Sequence, residues 1–207
     1  TGNFGDVYAG YLAKKIGLPV NKFIVATNKN DILHRAISKG TYDVDKVAET
    51  ISPSMDIQLA SNFERLIYDL YDYSDEKTIK AMRDIRENGK YSINKENLKK
   101  INTNFLSSSI DENEILNIIK NVYTEFDMIL DPHTAIGYGA FDKVNLEGNN
   151  IVLATAHPCK FPDAIDKAIN IKSELPDELV YILNEKEKYD ILENNLDKIK
   201  NHIKERI

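Results

Sequence analysis

Tryptophan is absent from the 207 residues, and cysteine occurs once, at Cys159. A single thiol excludes an internal disulfide framework and fits a reducing compartment, so a cytoplasmic location is expected. No apolar run reaches the roughly 20 residues that a membrane helix needs, so no membrane partner is expected. No basic-then-apolar leader opens the chain. Basic charge is not in excess: 27 Lys and Arg face 33 Asp and Glu, for a formal net charge of -6. Without a basic stripe, nucleic acid is not an expected partner. No metal site is expected either. The first residue is Thr, not Met, and a glycine-bearing turn follows at once. A chain that begins inside a loop motif is expected to be a fragment.

Apolar residues make up 42% and charged residues 29%. That balance suits a globular chain able to bury one good-sized core, with room for an appended helical unit. The plentiful Asn, Ile and Lys read as a base-composition bias. Val7 to Ile16 has helical apolar spacing, and Gly17 with Pro19 supplies a stop. Phe23-Ile-Val-Ala26 reads as a buried strand. Asn30 or Asp31 is placed to cap a helix running through Ile32, Leu33, Ala36 and Ile37 to Gly40. Helix, strand, helix implies a parallel sheet with covering helices.

The middle reads as helical. Ser61-Asn-Phe-Glu64 has the form of a capping box ahead of Leu66, Ile67 and Leu70. Asp75 to Asn88 and Asn94 to Phe105 follow, then Asp111 to Phe126 with a second box at Asp111 and Glu114. A helix from His133 to Val144 is expected to be loosened by Gly137 and Gly139. Asn150 to Thr155 reads as another buried strand, and Pro162 to Ile169 as a helix. Tyr189 to Ile207 has amphipathic helical spacing. The expected division is therefore residues 1–60 and 131–175 as two parts of one α/β domain, 61–130 as a helical insertion, and 176–207 as a C-terminal helical segment.

The opening residues carry the chemistry. Thr1-Gly-Asn-Phe-Gly-Asp6 runs straight into the first helix. Two glycines allow a tight turn and a close backbone approach to a ligand. The helix start offers unpaired N–H groups and the positive end of the dipole, which together suit an anion such as phosphate. The Lys-Ser or Lys-Thr of a nucleotide P-loop is missing, and so is the third glycine of the dinucleotide fingerprint. Taken alone, such a pair of glycines reads first as a turn with a helix cap. Asp6 stabilises a helix start but repels a bound phosphate, so phosphate binding requires its side chain to point elsewhere or to meet a polar ligand atom.

Four further segments occur in order after the loop: Ser52-Pro-Ser-Met-Asp-Ile57, Ser61-Asn-Phe-Glu-Arg65, Asp131-Pro-His-Thr-Ala-Ile-Gly137 and Thr155-Ala-His-Pro-Cys-Lys-Phe161. With the loop, they resemble the C-terminal portion of threonine synthases of the bacterial and fungal type. The resemblance spans roughly residues 1 to 170 and is least distinctive from Asp72 to Phe105. It implies a three-layer, mostly parallel α/β fold of the fold-type II pyridoxal-phosphate (PLP) class, similar to tryptophan synthase β chains, with a helical insertion and an incomplete domain. It also implies a PLP-dependent lyase that converts O-phospho-L-homoserine and water to L-threonine and phosphate. The cofactor phosphate would then lie on Gly2, Asn3, Phe4, Gly5 and Asp6. Thr155 would stand near the pyridine nitrogen.

A hydroxyl at that place donates one hydrogen bond to an unprotonated ring nitrogen, whereas a carboxylate would favour a pyridinium and a stronger electron sink. On its own, Thr155 reads first as a strand-end residue bonding to backbone. His133 and His157 lie in matched segments and are candidates for an acid–base or phosphate contact. A lone His is more often structural. Arg65 is a candidate for the substrate phosphate or for a surface ion pair. Ser52, Ser54 and Asp56 form a loop beside the site with no mechanism implied by their spacing. Cys159 reads as a small buried residue. Lys160 is not the Schiff-base lysine, which in the family lies well upstream of the phosphate loop.

The resemblance thus makes the missing N-terminal half a partner. The isolated chain is expected to turn over no substrate, and to self-associate through apolar surface that normally faces that half. Two alternatives stand beside this reading: another fold-type II PLP lyase, and a non-catalytic phosphate-binding or assembly module. The reading requires the opening loop and Thr155 to share one cleft.

Overall fold

In the computed structural model, which describes residues 1–207, the chain runs α1 (Gly5–Lys15), β1 (Phe23–Thr27), α2 (Ile32–Lys39), β2 (Thr41–Asp43), α3 (Phe63–Leu70), α4 (Asp75–Asn88), β3 (Lys90–Ser92), α5 (Lys95–Asn104), β4 (Phe105–Ser109), α6 (Glu112–Phe126), α7 (Pro132–Val144), α8 (Pro162–Ile169) and α9 (Leu196–Lys204). Two compact units divide it, Thr1–Glu174 and Leu175–Ile207.

The first unit is built on β1 and β4, which pair in parallel with Phe23 opposite Phe105 and Thr27 opposite Ser109. Side chains of a strand alternate between faces, and β1 obeys this. Phe23 and Val25 enter a core with Phe4, Leu33, Ile37, Phe63 and Ile101. Ile24 and Ala26 enter a second core with Ile115, Ile119, Ile136 and Ala140. Helices α1, α2 and α5 pack on the first face, and α7, backed by α6, on the second. The result is three layers, helix on sheet on helix, as expected from the alternating pattern. Each fully buried Ile, Leu or Phe contributes about 1.5–3 kcal/mol. A second pair, β2 with β3, is antiparallel, with Tyr42 opposite Tyr91.

Several expectations need correction. Phe105 does not end a helix: α5 stops at Asn104, and Phe105 opens β4. The Ser-rich stretch after it has little intrinsic pattern, and pairing with β1 decides its conformation. Segment 61–130 is therefore mostly helical but supplies two strands. Ser61 does not cap α3, which starts after Asn62 with no side-chain cap; the Ser61 hydroxyl donates to Asn3 Oδ1 instead, at 3.1 Å. The box at Asp111 and Glu114 does form, with both reciprocal bonds at 2.9 Å. Helix α7 runs unbroken through Gly137 and Gly139. These glycines permit close packing rather than loosening the helix: a Cβ on Gly139 would meet Ile118 Cδ1 at 2.5 Å.

Residues 150–155 form no strand. Ile151 is 86% exposed and Leu153 57%. A strand needs a neighbour for its N–H and C=O groups, and no segment of this chain pairs with it. The second unit is also less helical than its spacing suggests: Asp177–Asn184 is a 3₁₀ stretch, and only Leu196–Lys204 is α-helical. Asn195 caps α9, and Arg206 closes on Asp190 at 2.8 Å. No helix is long and apolar enough to cross a membrane.

Of the two capping boxes read from the sequence, only that at Asp111 forms. Asp111→Ala removes a working box and should cost about 1 kcal/mol in urea denaturation. A loss below a few tenths would show that the box does not support α6.

Candidate functional site

The loop ahead of α1 turns on Phe4, whose φ of 65° lies in the left-handed region. Few non-glycine residues adopt that backbone. Here the ring holds it: Phe4 is fully buried, edge-on to Phe63 with ring centres 5.3 Å apart, and 5.7 Å from Phe105. No side chain caps α1, and the N–H groups of Gly5, Asp6 and Val7 have no protein acceptor. The three amides and the helix dipole thus form an electropositive cup. Asp6 is exposed and bonds none of them.

The loop is enclosed on two sides. The Thr1 nitrogen donates to the Ala26 carbonyl of β1 at 2.6 Å. A Cβ on Gly2 would lie 2.8 Å from the Ser54 carbonyl and 3.0 Å from Met55 Cα, and one on Gly5 would lie 2.9 Å from Asn62 Nδ2. The first contact is with backbone and has no room to give, so position 2 requires glycine for the approach itself; the second is with the tip of the Asn62 side chain, which can move. Asn3 Oδ1 accepts from the Ser61 hydroxyl at 3.1 Å and the Asn62 amide at 3.4 Å.

The structure therefore brings together three of the matched segments: 1–6, 52–57 and 61–65. Arg65 is exposed on α3, one turn beyond Asn62, and lines an open cleft with Ser61, Asn62, Glu64 and Tyr68. It makes no ion pair with the chain's own carboxylates.

The other two segments meet each other. Asp131 caps α7 through the His133 and Thr134 amides and accepts from the Thr134 hydroxyl. It also bonds His133 Nδ1 at 2.9 Å. Burial alone would raise the Asp131 carboxyl; the bonds from the His133 ring, the Thr134 hydroxyl and the His133 amide outweigh it and hold the carboxyl below its ordinary value. The His133 side chain is 7% exposed, and its ring lies 4.6 Å from that of Phe161. Its Nε2 is buried without a partner. His157 is exposed and spends Nδ1 on capping the short 3₁₀ turn Pro158–Lys160, accepting from the Cys159 amide. Cys159 is half-buried and free rather than a core residue.

Thr155 is exposed on the irregular 150–157 segment. No hydrogen bond joins it to the opening loop, and the atoms nearest a Cβ at Gly2 or Gly5 belong to residues 54–57 and 62. Sequence reasoning passed over Asn28 and read Asn30 only as a possible cap of α2, whose N-cap is Asp31 with no side-chain capping bond. Asn28 and Asn30, immediately after β1, are buried and bond Asp56 at 2.8 and 2.9 Å. Two amide side chains at the end of an apolar strand were the signal for them.

Asp131 yields a pH prediction. Its folded carboxyl titrates below the unfolded value of 3.8. The stability it contributes is present above that value and lost as pH falls through the folded one. Denaturation midpoints should therefore fall more steeply below about pH 4 in the parent than in Asp131→Asn. Parallel curves would show that Asp131 carries no such linkage.

A family model described as "Threonine synthase, C-terminal" matches residues 134–203. A threonine synthase of Pseudomonas aeruginosa is 41% identical over 202 residues, covering 96% of this chain and 43% of that protein. The Saccharomyces cerevisiae threonine synthase is 38% identical, covering 100% and 46%. Among solved structures, a PLP-bound threonine synthase from Brucella melitensis superposes with a TM-score of 0.90 at 38% identity, covering 99% of this chain and 44% of that one. The chain thus spans less than half the length of the relatives it matches. By sequence and by fold, it belongs to the threonine synthase family and corresponds to the C-terminal portion of its members.

Proposed function

We propose that this chain supplies the cofactor-phosphate cup of a PLP-dependent threonine synthase, whose whole protein converts O-phospho-L-homoserine and water to L-threonine and phosphate. The observation that supports this most directly is the uncapped start of α1, where Gly5, Asp6 and Val7 offer three N–H groups without protein acceptors. Beside it stands Gly2, where a Cβ would press on the backbone of Ser54 and Met55. That arrangement fits a phosphate group better than a neutral ligand.

The residues divide the work. Backbone amides of Gly2 to Asp6 hold the phosphate dianion, and the exposed Asp6 side chain stays clear of it. Thr155 donates its hydroxyl to the pyridine nitrogen, which fixes the ring without protonating it. PLP, when bound, supplies the electron sink that stabilises a carbanion at the substrate Cα. Arg65, in the cleft it shares with Asn62, is assigned to the substrate phosphate, where a guanidinium offers paired donors. His133 is assigned no direct chemistry, because Asp131 and Phe161 enclose it. The Schiff-base lysine and the substrate carboxylate pocket belong to the remainder of the protein. This chain alone should therefore have no turnover.

The test is phosphate release from O-phosphohomoserine by the full-length protein. Release coupled to threonine formation is expected; its absence in PLP-replete, folded protein would remove the assignment. Gly2→Val should weaken PLP binding by about tenfold or more, since its side chain displaces the loop. Thr155→Ala should lower kcat while leaving the PLP phosphate contact intact. Unchanged kinetics in Thr155→Ala would refute the ring-nitrogen role.

A further inference from the structure

Behind the phosphate cup lies a partly buried polar network that the reaction itself does not use. Its centre is the Asp56 carboxylate. Oδ1 accepts from the Thr50 hydroxyl at 2.7 Å, from Asn28 Nδ2 at 2.8 Å and from Asn30 Nδ2 at 2.9 Å. Oδ2 accepts from the Thr50 amide at 2.9 Å. The Thr50 hydroxyl in turn accepts from the Ser52 amide at 3.1 Å and from Asn28 Nδ2 at 2.9 Å. Asn30 also clamps the Ala48 backbone, donating to its carbonyl and accepting from its amide, both at 2.8 Å. Asn28, Asn30 and Ser52 are buried. No cation pairs with Asp56; neutral donors alone hold it.

The consequence is geometric. Asp56 and Thr50 staple both ends of the 50–56 segment to each other, and the two asparagines staple it to the exit of β1. Inside that segment, the 3₁₀ turn Pro53–Met55 presents the Ser54 carbonyl and Met55 Cα against Gly2. The back wall of the cup is therefore set by the network, through a contact with no slack. We infer that Asp56 and Thr50 are positioning residues for the phosphate-binding loop, acting on it through the Ser54–Gly2 contact. This inference rests on the phosphate-cup reading.

The chemistry of the network defines the variants. Asp56→Asn keeps the shape but turns one acceptor into a donor, so in either orientation an NH₂ group faces Thr50 N–H or the asparagine amides. Thr50→Val removes the hydroxyl at constant shape, and Thr50→Ser restores it. The experiment measures binding of PLP and of pyridoxal, which lacks the phosphate, to each full-length variant. Thermal unfolding of the apo proteins is followed in parallel. Asp56→Asn and Thr50→Val should weaken PLP about tenfold while pyridoxal changes less than about twofold, and Thr50→Ser should match the parent. Equal weakening of both ligands, or unchanged PLP binding in a folded variant, would overturn the inference. If Asp56→Asn does not fold, Thr50→Val decides. If the parent protein itself does not prefer PLP to pyridoxal, the cup reading has failed rather than this one.

Discussion

The parallel pairing of β1 with β4 is the constraint on which the first unit depends. It separates the two cores, since alternate residues of β1 feed opposite faces. It also fixes one edge from which every feature of the site departs. Ala26 receives the Thr1 nitrogen, Asn28 and Asn30 emerge beyond Thr27, and the Ile110 amide bonds the Thr27 carbonyl at 3.0 Å. In open α/β sheets, ligands collect outside the carboxyl ends of strands. Here that end gathers a loop rich in free N–H groups and the turn that backs it.

The sequence was most legible where local chemistry and packing agree. Asp75–Asn88 keeps the bounds read for it, Asp111–Phe126 follows its box, and Phe23–Thr27 its apolar run. It was least legible where a partner decides. Phe105–Ser109 is a strand only because β1 lies alongside; its serines carry no strand pattern of their own. Residues 150–155 show the converse, with strand composition and no strand to pair with in this chain. Gly137 and Gly139 were misread because a glycine in a helix signals either looseness or close approach, and only the side chains of Val152 and Ile118 packed against them distinguish the two.

The same division holds for the site. Gly2 and Gly5 were visible as a loop, but what lies against each comes from far along the chain: the Ser54 backbone, which leaves Gly2 no room for a side chain, and the Asn62 side chain at Gly5. Ser61 was placed as a helix cap and instead serves Asn3, so a residue read as local turned out to be tertiary. Asp56 was noticed beside the site, yet its role is visible only once Asn28 and Asn30 are seen to converge on it. The ring-nitrogen assignment of Thr155 rests on family resemblance alone; no contact within this chain supports it.

Phe4 shows how tightly such a loop is bound to its surroundings. Glycine there would relax the backbone but empty the cage of Phe63 and Phe105, and a β-branched residue would fit neither the cage nor the φ of 65°. Three positions distant along the chain therefore form one energetic unit. Contacting residues of this kind show non-additive effects, so a change of ring size at one alters what the other two tolerate. Drift at position 4 is open only along paths that move its neighbours with it.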